Sequence, residues 1–442
     1  MADRRLDDAR HDHCRNGGCK MEGHRVRIVG VDCGGETHIA VLLSEDGQLE
    51  RQWEMANRRD GIEESLAEVM HCAGEGADIV LVVESARSYG RLVADVARQL
   101  GFDLRQVGTV ALNRYRSVEG QPRKSDDWDA YLAARMMFLG ARGVRAVPEV
   151  SDSERTLSRL TRAHRRLKKD RTRKVMQLEA LLLELAPEVL HSSWEGPKPN
   201  SKGMLYLLER WPGFQGLGRA HLSSIERILH RCRYGAKATS VARLIREMAR
   251  RIVMAAQERA AVTFEMSILV EGILSCDASL KELNREIARR VETDHVGSKL
   301  LDVPGIGPLR GGVLVSELLP VARVATESQA ATYAGVTPLG RTSGKTMNRS
   351  HLTEGVNKRV LEALYESSVA SVKHSAINQA YYKKKLKDYA GHPKPTVAAL
   401  IALSRQRHRL IYKLMTTEAV YDSEILVARH LERLDENQSA AA

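Results

Sequence analysis

From Val241 to Ile287, apolar residues recur at alternating spacings of four and three. The series runs Val241, Ile245, Met248, Ile252 and Ala255, and resumes in the same register as Val262, Met266, Leu269, Ile273, Cys276, Leu280, Leu283 and Ile287. Only a helix lays residues at those spacings along one stripe. No proline interrupts the 47 residues, and one straight helix of that length would run roughly 70 Å. The single polar seam position, Arg259, fixes register or snorkels to the surface. So long a stripe does not serve as a cofactor box. It predicts a coiled coil, within the chain or between subunits.

The rest of the chain has to be organised around that helical centre. Its 442 residues correspond to two to four domains. No apolar run reaches the ~20 residues of a membrane helix, and the charged N-terminus is unlike a signal peptide. Six cysteines make no disulfide framework, which points to a reducing compartment. Lys and Arg number 68 against 56 Asp and Glu, a net charge of +12, and such an excess steers toward a polyanion. With only four Phe and four Trp, recognition of single strands mainly by base stacking is disfavoured.

Residues 1–24 read as a flexible tail. Its His11, His13, Cys14, Cys19 and His24 could hold zinc, but the Cys-x4-Cys spacing matches no strong zinc pattern. Residues 25–147 alternate strand and helix. Strands are predicted at Val26–Asp32, Thr37–Leu43 and Leu49–Glu54, with a turn at Glu45-Asp46-Gly47. Helices at Gly61–Cys72, Arg91–Leu100 and Asp126–Phe138 then interleave with strands at Asp78–Glu84 and Leu104–Val107. Three consecutive strands followed by this alternation predict an α/β domain on a mixed sheet. Residues 148–298 are basic and helical, 299–415 mostly helical, and 416–442 form a C-terminal tail. The fold class is therefore α/β plus all-α.

Two segments invite nucleic acid. Between Glu154 and Lys174 stand Arg155, Arg159, Arg162, Arg165, Arg166, Lys168, Lys169, Arg171, Arg173 and Lys174, opposed locally only by Glu154 and Asp170. Ten cations in 21 residues exceed what a solvated face requires. Further on, Val303-Pro-Gly-Ile-Gly-Pro308 lies between helical segments like the turn of a helix–hairpin–helix. There Gly305 and Gly307 would expose backbone N–H groups to a phosphate, unless the turn serves packing alone. Tyr381-Tyr-Lys-Lys-Lys-Leu-Lys387 adds a smaller basic cluster.

Four acids of the α/β region fit one chemistry. Asp32 ends the first strand and Glu84 the fourth. Asp126 and Asp129 share a helix face at spacing i, i+3. Carboxylates converging there would repel one another unless divalent cations sat among them. Two Mg²⁺ roughly 3.5–4 Å apart would activate a nucleophile and stabilise the leaving oxygen of a phosphodiester. Taken singly, Asp32 is equally a turn residue and Ser125-Asp126-Asp127 a helix cap.

The order Asp32, Glu84, then Lys124-Ser125-Asp126-x-x-Asp129-Ala130 resembles the RuvC-like, RNase-H-fold domain of DEDD insertion-sequence transposases. These are the Piv-related recombinases of the "insertion sequence one-ten" group. Downstream, Pro304-Gly-Ile-Gly307, Ala334-Gly-Val-Thr-Pro338, Ser343-Gly344 and Asn357-Lys-Arg359 resemble the family's C-terminal transposase domain, so the similarity spans about residues 26–415. Asp127 and Cys33-Gly-Gly depart from the family's usual residues. The resemblance implies that Asp32, Glu84, Asp126 and Asp129 bind Mg²⁺, two ions per site. It implies that Ser343 is a nucleophile forming a phosphoserine link to DNA, with Lys345 among the nucleic-acid contacts. It further implies donor and target DNA, a structured guide RNA encoded by the element, a homo-oligomer (dimer or tetramer) joined by the coiled coil, and a bacterial, nucleoid-associated setting. Two alternatives stay open: a RuvC-like metal-dependent nuclease or junction resolvase using water in place of Ser343, and a non-catalytic nucleic-acid scaffold.

Overall fold

The computed structural model describes residues 20–21, 24–86, 88–119, 125–141, 143–337, 339–342, 348–351 and 356–422. The chain divides into two compact units, Met1–Val150 with Pro320–Leu361, and Ser151–Leu319 with Glu362–Ala442.

A mixed sheet organises the first unit. In chain order come β1 (Lys20–Met21), β2 (His24–Cys33), β3 (Thr37–Leu43), β4 (Leu49–Ala56), α1 (Arg59–Ala73), β5 (Asp78–Val83), α2 (Arg91–Gln99), β6 (Asp103–Val107), α3 (Thr109–Val118), α4 (Asp126–Phe138) and β7 (Val144–Ala146). The strands lie in the order β4-β3-β2-β5-β6-β7, with β1 beside the start of β2. β2, β3 and β4 are antiparallel neighbours, β5 and β6 run parallel to β2, and β7 closes the edge antiparallel. β2 is apolar on both faces, as a central strand covered by helices must be. Val29 and Val31 share a core with Ile62 and Leu66 of α1 and Val93 and Val96 of α2. Ile28 shares the opposite core with Val80, Val82 and, from α4, Ala130, Ala133 and Ala134. The result is a helix–sheet–helix sandwich, and its mixed sheet is the one expected. α3, β7 and β1 are additions, and β1 corrects the reading of residues 1–24 as wholly tail, since Lys20 and Met21 pair with Arg25 and His24 of β2. α3 has only 10 residues and meets the core through Leu112, with Ala111 and Tyr115 partly buried beside it, a stretch too short for its periodicity to stand out.

From Asp152 onward the chain is helical: α5 (Asp152–Leu185), α6 (Lys202–Arg210), α7 (Leu222–Arg231), α8 (Ala238–Arg251), α9 (Ala256–Thr293), α10 (His295–Leu301), α11 (Pro308–Val313), a π-helical stretch at Leu314–Leu318, α12 (Leu319–Val324) and α13 (Glu327–Tyr333). The hairpin β8 (Leu339–Thr342) and β9 (Asn348–His351) follows, then α14 (Lys358–His374), α15 (Ala376–Asp388) and α16 (Pro395–Thr416). No described helix is long and apolar enough to cross a membrane.

The seam from Val241 to Ile287 is not one helix. It breaks between α8 and α9, where Ile252 leaves helical geometry at ψ 118° and Val253 stands 97% exposed. The β-branched pair Ile252-Val253 is a poor helix former, and the break lets each half of the stripe find its own partner. Val241 and Ile245 pack with Ile225 and Leu229 of α7, whereas Val262, Met266, Leu269 and Ile273 lie along α5 against Val175, Leu178 and Leu182. Arg259 is half-buried, and its Nε finds no hydrogen-bond partner among the described residues. α5 itself starts on a signal the basic run obscures. Ser151 Oγ accepts from the N–H of Glu154, whose carboxylate accepts from the Ser151 N–H, closing a capping box.

Candidate active site

Side chains alternate along a strand, so Ile28, Gly30 and Asp32 of β2 share a face. By the same rule Val80 and Val82 of β5 share a face with Glu84, the residue just past its end. Ile28, Val80 and Val82 belong to the core under α4, which puts Asp32 and Glu84 on the α4 side. The parallel register pairs Val31 with Val83, so the two acids follow side by side on adjacent strands. Their field is felt at Cys33. That thiol is pushed up to about 12, first by burial and then by the charges of Asp32 and Glu84.

α4 runs with its N-terminus toward these acids. Its middle lies on Gly30, where a Cβ would come within 2.0 Å of the Ala130 carbonyl oxygen and 2.8 Å of the Ala134 nitrogen. Its C-terminal part reaches the β3–β4 turn, where Arg135 Nη1 donates to the Gly47 carbonyl at 2.6 Å. That turn sits where β2 begins, so the first turn of α4, carrying Asp126, Asp127 and Asp129, points to where β2 ends. A helix N-terminus suits acids. Asp126 is exposed and Asp129 only 2% exposed.

Asp129 is already paired. Arg116 of α3 donates from Nε (2.9 Å) and from Nη2 to the same carboxylate oxygen, Oδ1, while its Nη1 donates to Asn113 Oδ1 at 2.9 Å. Sequence reasoning missed Arg116, which lies on α3, a helix of 10 residues that was not predicted. The donor set fits a hard divalent cation, since all four acids offer carboxylate oxygen. Among the described residues, no three His, Cys, Asp or Glu side chains stand close enough to hold a metal. The strand ends bring Asp32 and Glu84 together, whereas Asp129 is drawn to Arg116.

The other expected site residues divide. Ser343 and Lys345 lie outside the described residues. His11, His13, Cys14 and Cys19 lie outside them too. Gly305 has φ 87°, and a Cβ there would stand 2.3 Å from the Ser367 carbonyl of α14, so it packs on backbone. Gly307 has open space around it. The carbonyls of Pro304 and Gly305 accept from Arg407 (2.8 Å) and Arg310 (3.1 Å), which fixes the turn. Burial pulls the Arg407 guanidinium down to about 10. On α5 several cations meet acids distant in sequence: Arg162 meets Glu317 (2.8 Å), Arg165 meets Glu362 (2.8 Å) and Arg171 meets Asp277 (2.5 Å). Arg173 meets the local Asp170 at 3.5 Å, and Arg155 is engaged within the fold. Arg159, Arg166, Lys168 and Lys169 are exposed with no acidic partner among the described residues. Gly335 of the Ala-Gly-Val element closes α13 at φ 71°, donating to the Thr332 carbonyl at 3.0 Å. Asn357 caps α14 by accepting from the N–H groups of Arg359 and Val360.

This strand order, with acids at adjoining strand ends and at the N-terminus of the covering helix, is consistent with a RuvC-like DEDD domain. Residues 29–187 match the DEDD transposase model of IS110-type elements, and residues 297–383 match the transposase model of the IS116/IS110/IS902 family. An insertion element IS110 protein of Streptomyces coelicolor is 22% identical over 406 residues, covering 90% of this chain and 96% of that protein. An IS116 protein of Streptomyces clavuligerus is 23% identical, covering 89% and 95%, and an IS900 protein of Mycobacterium paratuberculosis is 24% identical, covering 89% and 96%. The chain belongs to the IS110/IS116 family of DEDD transposases, enzymes that act on DNA.

Proposed function

We propose that this transposase cuts and rejoins DNA by transesterification, with Ser343 as the nucleophile and Asp32, Glu84, Asp126 and Asp129 as the holders of Mg²⁺. The observation that carries it is the β2–β5 register, which sets Asp32 beside Glu84 on the face to which the first turn of α4 points. A bound divalent ion would polarise the scissile phosphate and favour the leaving oxygen. Ser343 Oγ attacks phosphorus as its proton departs. The phosphorus–oxygen bond to the leaving strand breaks, that oxygen is protonated, and the phosphoserine ester conserves the bond for rejoining. Attack by a hydroxyl of the incoming strand releases serine.

Sequence choice then falls to a structured guide RNA pairing with donor and target DNA, the protein holding backbones with the exposed cations of α5. A homo-oligomer is supported by Phe264 and Ile268, one turn apart on α9 and 69% and 54% exposed. The test is to express the chain with its native flanking DNA and quantify the excised circular junction. Ser343→Ala and Asp32→Ala are both expected to abolish it while the protein stays folded. Cleavage that persists in Ser343→Ala would assign the nucleophile to water, as in a nuclease. Circles persisting in Asp32→Ala would remove the acidic site from the reaction.

A further inference from the structure

We infer that Arg116 is the resident counter-cation of the acidic site: it holds Asp129 in the metal-free protein and is what an entering divalent ion displaces. The inference rests on the reading of Asp32, Glu84, Asp126 and Asp129 as metal ligands, and it adds a positioning residue that acts through Asp129.

Four observations converge on it. The guanidinium places two donors on one oxygen of Asp129, and Asn113, one turn earlier on α3, accepts from its third nitrogen and aims the fork. The pair is sealed from water, with Asp129 at 2% and Arg116 at 12% exposure, so solvent screens it little. Arg116 is the cation that the described residues place on this carboxylate. Among the described residues no three of the acids gather at metal-binding distance, and Asp129 turns to Arg116. Finally, Arg116 lies near the C-terminal end of α3, whose core contacts, Ala111, Leu112 and Tyr115, all precede it in the chain.

Charge accounting gives the direction of the effect. Arg116 and the metal compete for the same carboxylate, so removing the guanidinium favours the ion, whereas a residue that merely shaped the site would weaken metal binding when replaced. Mn²⁺ binding to the full chain, followed by electron paramagnetic resonance, measures this directly. Thermal unfolding in EDTA and in Mg²⁺ reports the same competition without DNA or turnover. Arg116→Gln is expected to bind Mn²⁺ more tightly, on the order of tenfold, the worth of one charge-assisted pair. It is also expected to melt lower than wild type in EDTA and to gain more from Mg²⁺. Arg116→Lys keeps the charge but loses the fork, so it falls between the two, and it carries the test if the glutamine variant does not fold. Weaker or unchanged Mn²⁺ binding by Arg116→Gln, with an unchanged gain from Mg²⁺, overturns the inference while leaving the metal site standing. Asp32→Asn distinguishes the other failure. If it binds Mn²⁺ as wild type does, or if no variant binds, the metal reading fails and the role of Arg116 falls with it.

Discussion

The Cβ that Gly30 lacks would stand 2.0 Å from the carbonyl oxygen of Ala130. The backbone of α4 therefore lies directly on β2, and this contact sets the separation between Asp32, two residues along the strand, and Asp129, next to Ala130 in the helix. Gly30→Ala forces the helix back. Such overpacking costs about 2–3 kcal/mol, read as a lower midpoint in urea unfolding. Mn²⁺ binding should weaken at the same time, because the first turn of α4 retreats with the rest. Unchanged stability would mean that α4 does not pack here.

How much of this was legible follows from which interactions are local. β2, β5 and α4 could be read from alternation and apolar runs, and once the strands are known their ends place Asp32 and Glu84. The break at Ile252–Ala255 could not be read, because periodicity reports a stripe without reporting how many partners share it. Arg116 was invisible for a related reason: its partner is 13 residues away across a connection whose length says nothing of direction. The α5 cations looked unopposed because Glu317, Glu362 and Asp277 come from distant elements.

The turn before α11 divides into a packing glycine and an open one. Gly305 takes φ 87° and meets the backbone of α14, with Ser367 O at 2.3 Å and Ser371 N at 2.9 Å from a built Cβ, whereas nothing lies within 4 Å at Gly307. Gly305→Ala adds left-handed strain to overlap and is expected to cost at least about 2 kcal/mol. Gly307→Ala should leave the unfolding midpoint nearly unchanged. A DNA role for the turn then predicts that Gly307→Ala weakens duplex binding in a filter or anisotropy assay without loss of fold. Equal stability of the two variants would refute the division.

His38 gives the fold a pH dependence with a definite sign. It is fully buried on β3, and burial holds its pKa below the ordinary 6.5, opposed only in part by the side chain of Asn57. As pH falls below 6.5 the unfolded chain binds the proton first, so stability is present above that value and is lost on acidification toward the folded pKa. The limiting slope for one group is about 1.4 kcal/mol per pH unit. His38→Leu should flatten the wild-type decline between pH 7 and pH 5 in parallel denaturant titrations. An identical slope in both proteins would locate the acid sensitivity elsewhere.

α5 carries two kinds of cation, and they should separate experimentally. Glu317 is fully buried on the π-helical stretch and accepts from Arg162 (2.8 Å) and from Ser158 Oγ (3.0 Å). Arg162→Ala removes a charged donor from that buried carboxylate and should cost about 2 kcal/mol, lowering the melting temperature with little change in the salt dependence of nucleic-acid binding. Arg166, Lys168 and Lys169 are exposed and make no ion pair among the described residues. Replacing all three by alanine should leave stability within about 0.5 kcal/mol yet weaken binding to duplex DNA or structured RNA. The slope of log affinity against log salt should shrink by about 0.9 for each duplex phosphate no longer neutralised, and by about 0.7 for each phosphate of a single strand. Salt titrations on both variants decide the matter: a slope untouched by the triple substitution would make the exposed side of α5 a solvated face, and a stable Arg162→Ala would dissolve the distinction between the two sets.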